Sequence, residues 1–157
     1  MRKMAGYCAA GLALALASPA SAELIDARSP KTIAALIESQ GWQAEIDTPA
    51  GEPPFIKARR NGELFVAAFM NCTDGKNCKT LQFFFGFTDA KQVPLEKINE
   101  WNRDKRFARA YRDEEGDPVL AMDVDLDFRG LPRENVGELL NTWTGLMDSY
   151  RVFVRGE

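Results

Sequence analysis

The chain has 157 residues, 45% of them hydrophobic, with 23 acidic against 20 basic side chains and no histidine. A length of this order suits one domain around a single core, and the acidic balance excludes a general nucleic-acid binder, which needs a net basic face to displace counterions. The missing histidine removes the commonest general base and the commonest metal ligand at one stroke.

Residues 1–22 read as a secretory signal peptide. Arg2 and Lys3 give a positive start, Ala5 to Ala17 form an apolar block too short to span a bilayer, and Ala20 and Ala22 occupy the small-residue positions of a cleavage site. The expected mature domain is 23–157, periplasmic or secreted. Removing the leader takes two basic residues and no acidic one, so the net charge moves from −3 to about −5. No later apolar run is long enough to anchor the mature chain in a membrane. Cys8 leaves with the leader, and the remaining pair, Cys72 and Cys78, is expected to form a disulfide in an oxidising compartment.

From Ser29 to Gly41 the pattern is that of a helix: a serine N-cap, proline at the first helical position and glycine just past the end, with Ile33, Leu36 and Ile37 as its buried stripe. The period then changes. Gln43 to Asp47 and Phe55 to Arg59 read as short strands, and Arg60-Asn-Gly62 as a tight turn into the next one. Glu63 to Cys72 and Cys78 to Phe87 read as the arms of a hairpin. If the cysteines face each other, paired residue numbers sum to about 150, which puts Phe65, Ala67, Phe69, Leu81, Phe83 and Phe85 on one face. Leu64, Val66, Ala68 and Met70, opposed by Gln82 and Phe84, then make the other.

Pro94 to Arg103 is expected to be a short helix with Leu95, Ile98 and Trp101 inward. A second hairpin follows, Arg106 to Asp113 and Val119 to Asp127, around Glu114-Glu-Gly-Asp-Pro118. A register sum near 231 sets Asp125 opposite Arg106 and Asp123 opposite Ala108, with Phe107, Tyr111, Leu120, Met122 and Val124 filling the core face. Pro132 to about Tyr150 carries Val136, Leu139, Leu140, Trp143, Leu146, Met147 and Tyr150 at helical spacing. The order α-β-β-β-β-α-β-β-α makes the fold class α+β, an antiparallel sheet with helices packed on it.

Two constellations invite a site. Asp123, Asp125 and Asp127 alternate, and Glu134 lies eleven residues after Asp123, a spacing similar to a calcium loop. However, Phe128 stands where such a loop needs glycine, and Val124 and Leu126 suit a strand. A solvated charged face is the reading preferred, with a weak divalent-cation (calcium) site on Asp123, Asp125, Asp127 and Glu134 as the alternative. The second is the two-sided apolar hairpin, where Leu64, Val66, Met70 and Phe84 are candidate interface residues unless the first or last helix covers them. Arg103, Lys105, Arg106, Arg109 and Arg112 read as surface charges compensated by nearby acids. No nucleophile elbow, phosphate loop or dinucleotide fingerprint occurs. No catalytic residue and no cofactor are assigned, and a small carboxylate-based hydrolase is the remaining enzymatic alternative.

The run Ile98-Asn-Glu-Trp-Asn-Arg-Asp-Lys-Arg-Phe-Ala-Arg-Ala-Tyr111, followed by Asp113-Glu-Glu-Gly116 and by Val119 to Asp127, resembles the YbjN family of bacterial sensory-transduction regulators. The resemblance extends from about Ser29 to Tyr150. It implies a fold similar to type III secretion chaperones, frequent homodimerisation and no catalytic residues. The expected function is a non-catalytic regulatory module that binds another protein or itself.

Overall fold

The computed structural model describes residues 23–156, so the signal-peptide reading of residues 1–22 lies outside the described residues. Its elements in chain order are β1 (Leu24–Ile25), α1 (Pro30–Ser39), β2 (Gln43–Asp47), β3 (Phe55–Arg60), β4 (Glu63–Met70), β5 (Thr80–Gly86), α2 (Leu95–Asp104), β6 (Arg109–Arg112), β7 (Pro118–Asp125), β8 (Leu131–Pro132) and α3 (Arg133–Arg155). Six strands form an antiparallel sheet in the order β2-β3-β4-β5-β7-β6. The fold is α+β, with the expected order of helices and strands.

Local chemistry explains most boundaries. The Ser29 hydroxyl oxygen accepts the Thr32 N–H at 3.3 Å, capping α1, and Pro30 opens the helix. Asn61 and Gly62 both take positive φ, the two-residue turn that matches strand twist, and Arg60 pairs with Glu63 directly across it. The β4–β5 ladder has the expected sum of 150, pairing Val66 with Phe84 and Met70 with Thr80.

The second hairpin corrects the expected register by one. Arg109 pairs with Ala121 and Ala110 with Leu120, a sum of 230. Its loop holds three residues, Glu114 to Gly116, closed by the Asp113 N–H on the Asp117 carbonyl at 3.0 Å with Gly116 at φ 87°. An odd loop makes the sum even, and a one-residue slip turns each side chain of the incoming strand to the other face. Ala108 and Ala110 therefore enter the core, Tyr111 moves to the opposite face, and Phe107 is 65% exposed ahead of the strand. The expected Arg106–Asp125 and Ala108–Asp123 juxtapositions give way to an Arg109–Asp123 ion pair.

Leu95 is also corrected: it is 56% exposed on the first turn of α2, whereas Ile98 and Trp101 are buried. α3 runs one turn beyond Tyr150 to Arg155, burying Val154. The β1–β8 pair was not read from the sequence, since two-residue strands carry no periodicity. It closes over Gly130, where a Cβ would come within 2.0 Å of the Ile25 carbonyl oxygen, so no larger residue fits.

All inward side chains of the sheet meet the helices on one side. Trp143 of α3 stacks on Phe83 with ring centroids 5.6 Å apart and meets Phe65 edge-on at 6.1 Å, while Trp42 packs edge-on against Phe65 at 4.8 Å. A second cluster joins α2 to α3 through Trp101, Tyr150 and Phe153. The Tyr150 hydroxyl is buried there without a hydrogen-bond partner, and burial pushes its pKa well above the usual tyrosine range.

Two substitutions test this core. Trp143→Ala should cost about 3–5 kcal/mol in urea unfolding, because it empties the contact between α3 and the sheet centre. Tyr150→Phe should raise stability by about 1 kcal/mol by removing an unsatisfied buried group. Since the folded-state pKa of Tyr150 is raised, its contribution is intact below about pH 10 and is lost above it. The phenylalanine variant should therefore hold its melting temperature to higher pH than the native protein.

Candidate functional site

Strand alternation sends one set of side chains to the core and the other to the opposite face, where none of the three helices lies. Leu64, Val66, Met70 and Phe84 all belong to that second face. Leu64 is 38% and Met70 40% exposed, and Val66 and Phe84 are half-buried. The register aligns Glu45, Lys57, Val66, Phe84, Ala121 and Arg109 in one row across all six strands. Apolar groups occupy the middle of this row and charged groups its two ends. Neither α1 nor α3 covers this apolar centre.

The β4–β5 ladder ends at Val66–Phe84, although β4 begins at Glu63 and β5 continues to Gly86. Beyond that point Glu63 to Phe65 pair only with β3, and Phe85 and Gly86 only with β7. The sheet forks between its two central strands. A groove of about 710 Å³ occupies the fork, lined by Leu64, Val66, Phe84, Gly86, Tyr111 and Val119, with Arg151 and Arg155 at its rim. Those arginines are engaged, Arg151 with Glu63 at 2.5 Å and Asp148 at 3.0 Å, Arg155 with Asp89 at 3.0 Å.

The acidic stripe is dispersed. Asp123 is bound by Arg109 and accepts the Gln82 side-chain N–H at 2.5 Å. Asp125 accepts the Asp127 backbone N–H at 2.9 Å. Asp127 accepts the Phe128 N–H at 2.7 Å and faces Lys79 at 3.4 Å, and these contacts, the backbone bond first, hold its carboxyl below the usual range. Glu134 is exposed on the first turn of α3, where the helix dipole favours it. Among the described residues no three acidic or cysteine side chains gather as a metal site.

Of the basic cluster, Arg103 and Arg109 pair with acids, Asp104 and Asp123, as expected, whereas the Arg112 guanidinium donates to the Val93 carbonyl and Lys105 and Arg106 lie over the Trp101 and Phe107 rings. Cys72 and Cys78 lie at the tip of the β4–β5 hairpin, their Sγ atoms 2.10 Å apart, and extend the register sum of 150 beyond the ladder. Among the described residues no helix is long and apolar enough to cross a membrane. What sequence reading missed was the fork, because a gap in a ladder leaves no mark on alternation; Gly86, a glycine at the end of β5, was the available signal.

With this geometry in hand, comparison with known proteins identifies the class. Residues 29–155 match the family model YbjN, described as "Putative bacterial sensory transduction regulator", and the chain belongs to that family. No curated protein and no solved structure matches the chain.

Because Asp123 and Asp127 already hold Arg109 and Lys79, millimolar calcium should leave the melting temperature of the mature protein unchanged in scanning calorimetry. A calcium-dependent rise would return the carboxylate stripe to consideration.

Proposed function

We propose that this chain is an exported, non-catalytic regulatory module that binds protein through the helix-free face of its sheet. The observation that carries the reading is the apolar centre of that face, with Leu64 and Met70 exposed and Val66 and Phe84 half-buried, adjoining a groove lined by Leu64, Val66 and Phe84 in a domain whose helices all pack on the other side. A sheet face turned to water ordinarily carries polar side chains, and apolar surface left open within a charged rim marks a contact surface. The arrangement is that of an interface, with an apolar middle and a polar margin.

Membership of a family described as regulatory supports a role without chemistry of its own. The charged side chains on the face support it too, since Lys57 and Arg109 form ion pairs with Asp47 and Asp123 that orient them at the margin. A chaperone-like version follows from the same surface: a groove with apolar walls and free strand edges can shelter an apolar segment of another chain. Export rests on the leader pattern of residues 1–22, and an oxidising destination fits the Cys72–Cys78 pair, whose small ring adds about 2 kcal/mol on the chain-entropy model.

The test places a photocrosslinking amino acid at Phe84 and, as a control, at Glu114 on the β6–β7 turn of the exported protein. Crosslinks to protein at position 84 and none at 114 are expected. Equal or absent crosslinking at 84 would overturn the reading. In the same cells, fractionation should recover the protein outside the cytoplasm with an N-terminus near Glu23 and with both remaining thiols resistant to alkylation until reduced.

A further inference from the structure

We infer that the end of the sheet opposite the fork docks on an anionic lipid bilayer through two exposed phenylalanines, Phe107 and Phe128. The inference goes beyond the protein-binding reading and shares with it only the export of the chain. Its basis is a pair of backbone outliers. Phe107 has φ 72° and Phe128 φ 61°, in the left-handed region where a bulky side chain is strained and glycine or asparagine is the ordinary occupant. Both rings stand in water, 65% and 85% exposed. A strained backbone that holds an apolar ring away from the core points to a use for the ring.

Both positions are fixed by hydrogen bonds. The Gly130 N–H closes a turn on the Asp127 carbonyl at 3.2 Å, with φ positive at Phe128 and not at Arg129. Such a turn ordinarily takes glycine at its first central residue. The Asp127 carboxylate accepts the Phe128 N–H at 2.7 Å, and Gly130 seats the turn against the Ile25 carbonyl. Phe107 lies in the short link from α2 to β6, where the Asn102 side chain accepts the Ala110 N–H at 2.7 Å and donates to the Ala110 carbonyl at 2.9 Å. The two rings belong to one end of the sheet. The β6–β7 ladder runs from Arg112–Pro118 to Arg109–Ala121, so Phe107 lies toward the C-terminal end of β7, and Phe128 follows the last residue of β7 by three. Met70 lies at this end too, through its pairing with Thr80 and that of Thr80 with Asp125.

Charge favours an anionic surface. Arg106 and Arg129, each next to one of the phenylalanines, form no ion pair among the described residues, and neither does Lys105. Of the nearby acids, Asp26 faces Arg28 at 3.9 Å and Asp127 faces Lys79 at 3.4 Å, whereas Asp125 has no cation and accepts the Asp127 N–H. Binding at a membrane surface combines buried apolar groups with the attraction of Lys and Arg to anionic headgroups. The point where the leader joins the domain agrees. The Glu23 carbonyl accepts the Arg133 N–H at 2.9 Å, and the exposed Leu24 pairs with Pro132, just past the Asp127–Gly130 turn. A domain exported behind residues 1–22 therefore emerges with this end toward the bilayer. The fork lies at the other end of β4 and β5, so docking leaves the helix-free face open to a protein partner.

The experiment sediments the exported, processed protein with vesicles of phosphatidylcholine alone and of phosphatidylcholine containing about 30% phosphatidylglycerol. The native protein should bind the anionic vesicles about tenfold more tightly than the neutral ones, a preference that shrinks as salt is raised. Phe107→Asn/Phe128→Asn should weaken binding to the anionic vesicles about tenfold while holding or raising the melting temperature, because asparagine accepts the left-handed backbone. Phenylalanines with a structural role alone would lower the melting temperature on that exchange and leave vesicle binding as it was. Arg106→Gln/Arg129→Gln should remove the preference for anionic lipid. Should the asparagine variant misfold, Phe128→Trp decides: its fluorescence should shift to the blue on anionic vesicles, against native tryptophans that are all buried. Native protein that binds neither vesicle or both equally, a folded asparagine variant that binds as the native protein does, or an unshifted Phe128→Trp overturns the inference. Protein that ignores vesicles yet still crosslinks to other proteins through position 84 removes the bilayer and leaves the protein-binding reading intact.

Discussion

The contact of Trp143 with Phe83 and Phe65 joins the longest helix to the two central strands, and the remaining structure depends on it. Phe65 lies on β4 and Phe83 on β5, so the indole packs across the strand pair from which the sheet extends on both sides. Trp42 closes against Phe65 from the α1 end, and Tyr150, one helical stretch further along α3, brings in α2 through Trp101. All three helices thus meet a single face of the sheet. Aromatic rings bury large areas at low rotamer cost, which is why a domain of this size can use so few contacts to fix its layers.

That one-sidedness has a consequence. A sheet of six strands buries one face under helices and exposes the other, and the exposed face must be wettable or occupied. Here its margins are wettable, through Glu45, Lys57, Arg109 and Asp123, while its centre is not. The apolar middle and the charged margins have different energetic roles. In the proposed contact, burial of Val66, Phe84 and Leu64 would supply the drive for association, and the exposed ion pairs, each worth little, would select orientation and partner.

The fork between β4 and β5 belongs to the same account. Where the ladder ends, Leu64 and Gly86 no longer face each other as strand neighbours, and an apolar side chain and an opening stand side by side. The ends of this opening are ringed by salt bridges of Arg151 and Arg155, which tie the C-terminal turn of α3 to Glu63 and Asp89. The helix that builds the core therefore also shapes the rim of the surface opposite it.

Reading by period recovered the helices, the strands and their faces because those depend on local alternation: Ile33, Leu36 and Ile37 on α1, and Phe65, Ala67, Phe69, Leu81, Phe83 and Phe85 on the central hairpin, needed only spacing to be placed. The family resemblance rested likewise on a continuous run, Ile98 to Tyr111. The side chains that failed were decided by tertiary counts. Tyr111 and Phe107 turned on whether a loop held three residues or an even number, and Leu95 on which turn of α2 reaches the core. Dispersal of Asp123, Asp125, Asp127 and Glu134 followed from cations distant in sequence, Lys79 and Arg109, that spacing could not bring together. Which face of the sheet the helices choose, and where the ladder between β4 and β5 stops, are likewise properties of the assembled layers. Alternation along one strand states that there are two faces, and only packing among strands and helices decides which of them meets water.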